Sequence, residues 1–234
     1  MPYISKRSKS NATIKPAEPL DALAAVAVLR KFKATKFDQT INVALHLNID
    51  PAQAEQGIRG SVSLPKGIGS SKRVVAFCTA DKVADCKAAG AIEAGAEELV
   101  AKIEGGWMDF DVAVATPDMM KIVSKLGKVL GPKGLMPSPK TGAVTPRIVD
   151  AVKEFAAGKV EFRNDKGGNV HAVLGKMSFQ DGDVAANLEA FISHISKMRP
   201  SSTKGQFIKS IHVAGAMTPS VQIKYTEAVE VPAR

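Results

Sequence analysis

Val74-Val75-Ala76-Phe77-Cys78 is an unbroken apolar run, and Lys82 to Ala89 follows it with helical spacing. Further on, Val112-Ala113-Val114-Ala115 repeats the pattern ahead of a second helical stretch, Pro117 to Leu126. A short strand that is apolar on both sides is buried on both faces, and this strand–helix alternation implies a parallel sheet with helices above and below it. The flanking sequence has a different style. From Thr40 to Ile49 the chain alternates strictly, with Ile41, Val43, Leu45, Leu47 and Ile49 on one side and Thr40, Asn42, Ala44, His46 and Asn48 on the other, which predicts a strand with one face on a core and one in solvent. A weaker alternation through Ile58, Gly60, Val62 and Leu64 ends at Pro65-Lys66-Gly67-Ile68-Gly69. Before it, Pro19-Leu20-Asp21 opens an Ala/Leu/Val run closed by Arg30-Lys31-Phe32-Lys33, acid early and base late as a helix macrodipole prefers.

Beyond a helix-like stretch, Pro146 to Ala157, the antiparallel style returns. Lys159-Val160-Glu161-Phe162-Arg163 and Val170-His171-Ala172-Val173-Leu174 flank Asn164-Asp165-Lys166-Gly167-Gly168, whose composition predicts a hairpin. A helix over Val184 to Met198 and a strand over Phe207 to Val213 follow. The fold class expected is α/β with two domains. Residues 1–67 and 159–234 build a discontinuous α+β domain, and residues 68–158 form an inserted three-layer α/β domain.

Composition narrows the function. The chain has 234 residues, 45% of them apolar, enough for two cores of ordinary size. No stretch reaches the ~18–20 apolar residues of a membrane span, and Met1 to Lys9 lacks the apolar run of a signal peptide, so a cytoplasmic protein without a membrane partner is expected. Cys78 and Cys86 lack CxxC spacing and read as small buried thiols rather than a disulfide or zinc site. The formal charge is +9, which favours a polyanionic partner. That excess is local: residues 68–118 carry five basic and nine acidic side chains, whereas residues 119–149 carry six basic and no acidic ones.

Catalytic patterns are missing. Gly127-Lys128-Val129-Leu130-Gly131-Pro132-Lys133-Gly134 breaks P-loop spacing and lacks the terminal hydroxyl. Gly67-Ile68-Gly69 has no third glycine and precedes the strand that a dinucleotide fingerprint must follow. His46, His171, His194 and His212 are scattered, none in an HExxH arrangement or beside a nucleophile. The residues therefore imply no enzyme, cofactor or metal. A nucleotide-using α/β enzyme and a protein-interaction adaptor stay as alternatives to a nucleic-acid-binding protein. The stretch from Gly127 to Gly142 packs four glycines, three prolines and three lysines into sixteen residues. This composition predicts an irregular loop pinned by Leu130, Leu135 and Met136, with glycine N–H groups and lysine ammonium groups suited to phosphate oxygens.

Lys121 to Thr141, with Leu126 to Pro137 at its centre, resembles the signature loop of the ribosomal protein L1 family. Collinear blocks extend the resemblance from about residue 19 to 223: Lys36-Phe37-Asp38-Gln39-Thr40, Leu47-Asn48-Ile49-Asp50-Pro51, Arg59 to Pro65, Gly106-Trp107-Met108-Asp109-Phe110-Asp111, Phe162 to Lys166, His171, Gly175-Lys176 and Ser178-Phe179. The resemblance implies a split RNA-binding domain, a Rossmann-like insertion and a flexible two-strand hinge. It also implies a large-subunit ribosomal protein that binds large-subunit (23S) rRNA to form the mobile stalk near the exit site. Further partners implied are exit-site tRNA, whose release it aids, and the protein's own messenger RNA, which it represses; off the ribosome the chain is expected to be a monomer. The RNA-binding residues implied are Lys36, Phe37, Thr40, Asp165, Lys166 and His171, with Lys128, Lys133 and Lys140 from the loop and a terminal motif, Ala216-Met217-Thr218-Pro219-Ser220. The family usually reads Thr-Met-Gly-Pro there. Ala216 lacks a hydroxyl that would reach a ribose, and Thr218 is expected to stand as a β-branched barrier where glycine would let backbone and ribose approach.

Overall fold

The computed structural model describes residues 5–33, 35–51, 53–203 and 205–225. The chain divides into two compact units, one of residues 1–58, 64–69 and 162–234, the other of residues 59–63 and 70–161. The expected domain boundaries fell at 67/68 and 158/159. The observed units change over at 69/70 and 161/162, and residues 59–63 belong with the second unit.

In the first unit, helices α1 (Lys6–Ile14) and α2 (Ala22–Lys31) precede strand β1 (Thr40–Leu47). Strand β2 (Arg59–Val62) belongs with the second unit, whose parallel sheet begins at β3 (Val74–Phe77). The alternation of β1 is realised: Ile41, Val43, Leu45 and Leu47 are buried, whereas Thr40, Ala44 and His46 are half-buried and Asn42 is exposed.

The second unit continues with α3 (Ala80–Ala88), β4 (Ala91–Gly95), α4 (Glu97–Glu104) and β5 (Val112–Ala115). The three strands form a parallel sheet in the order β4-β3-β5. Every residue of β3 and of β5 is buried. Val74, Ala76 and Cys78 point into one core with Cys86 of α3 and with Ile148, Ala151, Val152 and Phe155. Val75 and Phe77 point into the opposite core with Leu99 and Ile103 of α4 and with Val123, Leu126 and Leu130. The middle strand is apolar on both sides because both sides are covered, which makes three layers. Burial pushes the Cys86 thiol up to about 12, with Cys78 adding to the rise, and lifts Cys78 as well; both cysteines are fully buried.

The stretch from Pro117 to Leu126 is not one continuous helix. It divides into short turns around α5 (Met120–Val123), and α6 (Gly127–Leu130) is a separate turn. That last element corrects the expectation of an irregular glycine-rich loop. The glycines bracket a helical turn instead of interrupting it: Gly131 N–H donates to Gly127 C=O at 2.9 Å, and a Cβ on Gly131 would stand 2.5 Å from that oxygen. Leu130 is fully buried, and Leu135 and Met136 pack half-buried against the same core, so the pinning inferred from the sequence is present. Helix α7 (Ile148–Ala156) completes the layer over α3.

The chain then runs through β6 (Val160–Arg163), β7 (Asn169–Lys176), α8 (Asp181–Lys197), β8 (Ile208–Gly215) and β9 (Val221–Ile223). The turn at Asp165 to Gly168 forms, with Asp165 N–H donating to Asn169 C=O at 2.8 Å. The hairpin expected around it does not. Strand β6 pairs with β2 in a two-stranded sheet, β7 pairs with β1, and only an isolated bridge between Asn164 and Val170 joins the two arms. Turn chemistry dictates the reversal but leaves the choice of partner to distant strands. The main sheet of the first unit is β7-β1-β8-β9, antiparallel between each pair, and α2 and α8 pack against it.

One buried polar residue ties this unit together. Asn187 of α8 is fully buried; its amide donates to the carbonyls of Gly67 (2.9 Å) and Leu174 (2.8 Å) and accepts from Lys66 N–H (3.0 Å). Truncation would leave three backbone groups, one buried and two part-buried, without their partner. Asn187→Ala is therefore expected to destabilise the unit by about 2–4 kcal/mol, measurable as a drop in the denaturant midpoint at unchanged slope.

Candidate nucleic-acid interface

Three separate segments meet at one end of the four-stranded sheet. Thr40, the first residue of β1, is opposite Lys176, the last of β7, and its C=O accepts from Ala216 N–H just past β8 at 3.0 Å. Gln39 holds the junction. Its side-chain Oε1 accepts from Met217 N–H at 2.9 Å and its backbone C=O accepts from Met177 N–H at 2.8 Å, while the residue itself is only 4% exposed. Beside it, the Asp38 carboxylate accepts from both N–H (3.1 Å) and hydroxyl (2.8 Å) of Ser178. Lys176 Nζ donates to Thr40 Oγ1 at 2.9 Å. Gly215 lies where these segments are closest: a Cβ there would meet Thr218 Oγ1 at 3.0 Å and Gln39 Oε1 at 3.2 Å.

This scaffold presents two large apolar side chains to solvent. Phe37 is 54% exposed and Met217 53%. Lys36 is also exposed. In the terminal motif Thr218 is held within the chain. Its side chain is half-buried and turned into the chain, where Oγ1 accepts from Gly215 N–H at 2.8 Å. The hydroxyl thus closes the β8–β9 turn that Gln39 also holds, and no residue other than glycine needs a positive φ among those described. Ala216 is exposed, and Pro219 and Ser220 are half-buried.

Asp165, Lys166 and His171 are not brought to that end. The register runs from Thr40 opposite Lys176 to His46 opposite Asn169, so the turn carrying Asp165 and Lys166 lies about 20 Å away along the sheet. His171 lies between, opposite Ala44 of β1, with His212 of β8 opposite the same alanine on its other side. The Asp165 carboxylate accepts from the side-chain amide of Asn169 (3.0 Å), the N–H of Asn169 (2.7 Å) and the N–H of Gly167 (2.8 Å). These donors hold its pKa down at about 2. Because the folded-state value is below the ordinary 3.8, the contribution of this carboxylate is complete above that ordinary value and is lost as pH falls toward about 2. The Gly167 and Asn169 amide resonances are expected to shift with a midpoint near 2; a midpoint at the ordinary value would show that the carboxylate is not so held.

In the second unit, Lys121, Lys125, Lys128, Lys133, Lys140 and Arg147 are all exposed. No ion pair is recorded for these six among the described residues, and Lys133 Nζ rests on Met108 Sδ at 2.6 Å. Lys128, Lys133 and Lys140 belong to the segment from Gly127 to Gly142 pinned by Leu130, and exposed ammonium groups of this kind suit phosphates.

A model of the ribosomal protein L1p/L10e family matches residues 29–219. The chain belongs to that family. It is similar to the large ribosomal subunit protein uL1 of Nitratidesulfovibrio vulgaris strain DP4, with 50% identity over 82% of this chain and 81% of that protein, and to the same protein of strain Hildenborough at the same identity and coverage. The L1 family consists of ribosomal proteins, not enzymes, and binds rRNA. The mixed α/β architecture is the one the family resemblance implied. Gln39 is missing from the site residues expected from the sequence because its partners lie at positions 177 and 217; the available signal was its place inside the family block Lys36 to Thr40.

Proposed function

We propose that this chain is a structural constituent of the large ribosomal subunit that binds large-subunit rRNA through the unit built from both chain ends, residues 1–67 and 159–234. The observation that carries this reading is the convergence of Lys36 to Thr40, Lys176 to Ser178 and Gly215 to Ser220, with Phe37 and Met217 facing solvent on a rigid scaffold. Folded RNA suits such a surface. Its shallow minor groove and irregular loops offer bases to Phe37 and 2′-hydroxyls to Thr40 and to the backbone of the terminal motif. Lys36 supplies phosphate contact at this end, while Asp165, Lys166 and His171 extend the footprint along the sheet.

The insertion, residues 68–158, contributes a second RNA surface through Lys128, Lys133 and Lys140, placed to meet exit-site tRNA and aid release of deacylated tRNA. The same rRNA-binding surface accepts a mimic of its site in the protein's own messenger RNA and represses its translation. Off the ribosome the chain is a monomer, and it works in the cytoplasm as part of the ribosome. Cofractionation with large subunits on a sucrose gradient, followed by competition between rRNA fragment and messenger leader for the purified chain, tests this. Mutual displacement is expected. A leader that binds without displacing the rRNA fragment would contradict the shared surface. Converting Lys128, Lys133 and Lys140 to glutamine should reduce the salt slope for tRNA by about 2–3 units, roughly 0.7–0.9 per phosphate contact; an unchanged slope would remove the loop from that role.

A further inference from the structure

On the first unit, the N-terminal segment and the β8–β9 pair enclose a cleft of about 340 Å³ lined by Ala12, Lys15, Pro16, Ala17, His212, Ser220 and Gln222. Its walls are fixed at both ends. Helix α1 is anchored by Asn11, a residue 1% exposed whose side-chain carbonyl accepts from Lys33 N–H at 2.9 Å. Lys15 is the C-cap residue, with its N–H donating to Asn11 C=O at 3.1 Å. Past Pro16 the chain returns to the sheet, where Leu20 N–H donates to Gln222 C=O (3.0 Å) and Leu20 C=O accepts from Lys224 N–H (2.8 Å). On the opposite wall His212 is paired with Gln222 in the β8–β9 register.

The chemistry of the lining is one-sided. Lys15, His212, Ser220 and Gln222 line the same space, and among the described residues no carboxylate does. Desolvation, reinforced by the charge of Lys15, holds His212 below its ordinary range. Folding thus sets a cation beside a histidine with no acid among the described lining residues to balance them, an arrangement that an anion relieves. The volume is at the small end of ligand sites, about 300–1,000 Å³, room for a phosphate with the sugar or base attached. Ser220 belongs to both this lining and the terminal motif that carries Met217, so the cleft continues the proposed RNA surface.

We infer that this cleft is a phosphate subsite for the RNA strand that crosses Met217, in which Lys15 neutralises one phosphodiester and His212, Ser220 and Gln222 hydrogen-bond to it. The inference rests on the RNA-binding reading of this unit. The strand leaves the exposed end of the sheet, follows the β8–β9 turn and places one phosphate against the end of α1. The N-terminal helix is thereby part of the binding machinery, a role that its lack of a sequence motif conceals.

The test uses the full-length chain. The His212 ring resonances are followed by NMR while inorganic phosphate, adenosine monophosphate or a mixed-sequence hexaribonucleotide is added. In parallel, affinity for a large-subunit rRNA stalk fragment is measured against salt for the wild type, Lys15→Gln and His212→Gln. The expected result is movement of the His212 signals by all three probes, by the hexanucleotide at concentrations at least about tenfold below those needed for phosphate, since it adds contacts beyond one phosphate. Lys15→Gln should lower rRNA affinity about three- to tenfold and reduce the salt slope by about 0.7–0.9, the signature of one lost phosphate contact. Lys15 is exposed, so loss of the fold does not mimic this; His212→Gln, which keeps a donor, should lose less. Still His212 signals, or a Lys15→Gln slope equal to the wild type, overturn the subsite while leaving RNA binding by the unit intact. Saturation by free phosphate or the mononucleotide as tight as by the hexanucleotide overturns the RNA strand as occupant. A wild-type chain that binds no rRNA fragment fails the underlying reading and overturns the RNA strand as occupant with it.

Discussion

Replacing both Phe37 and Met217 with alanine is expected to weaken binding to a large-subunit rRNA stalk fragment by about 30- to 700-fold. An aromatic side chain under a base is worth about 1–3 kcal/mol on truncation, and the apolar contact of a methionine about 1 kcal/mol more, while each 1.4 kcal/mol is tenfold. Both side chains are more than half exposed, so the unit's stability should change by no more than about 0.5 kcal/mol. The control is Gln39→Ala. It touches no solvent-facing group of the proposed surface, yet it removes the acceptor that fixes Met217 N–H at 2.9 Å. It should therefore cost affinity through a loosened terminal turn, with a measurable loss of stability as well. Equal affinity for the Phe37/Met217 double variant and the wild type, with folding intact, would remove this end of the sheet from the interface.

Excising the insertion is the second large effect. A chain in which a short flexible linker replaces residues 70–157 keeps both sequence halves of the first unit: α2, β1, β7, α8, β8 and β9. It also keeps β2 and β6, which pair with each other, and the Asn187 contacts to Lys66 and Gly67. This product is expected to unfold cooperatively and to bind the rRNA fragment within about tenfold of the full chain, because loop closure grows only slowly with length and a short linker replaces a folded one at little cost. A product without a cooperative transition would contradict the independence of the unit. A folded product without rRNA affinity would place binding on the insertion instead.

How far the sequence reveals this molecule depends on how local each feature is. The periods of β1 and β3 are written in consecutive residues: polar and apolar alternate where one face is open, and no polar residue appears where both are covered. The reversal at Asp165 to Gly168 is equally local. What the local text lacks is the partner. Strand β6 joins β2, about a hundred residues earlier, and nothing between Lys159 and Leu174 encodes that choice. Glycine content misled at Gly127 and Gly131, since glycine marks both an irregular loop and the tight ends of a helical turn, and only the 2.5 Å approach to Gly127 C=O distinguishes them.

The candidate site divides in the same way. Phe37 and Met217 are legible through the family blocks that contain them, and their exposure agrees with a contact role. Thr218 shows what a sequence withholds, the direction of a side chain as distinct from its size; its hydroxyl faces Gly215 N–H. Gln39, and Lys15 with His212, lie far apart in sequence from the groups that give them meaning. Reverting Thr218 to glycine would sacrifice that hydroxyl, so Ala216→Thr alone is the cleaner change for adding a ribose contact.

Hydrogen–deuterium exchange of the full-length chain with and without the large-subunit rRNA stalk fragment decides the placement of the interface. Protection is expected in residues 36–40, 176–178 and 215–220 together, because one RNA surface must cover all three segments that Gln39 joins. Protection confined to residues 119–149, or binding that leaves those three segments exchanging as in the free chain, would contradict it.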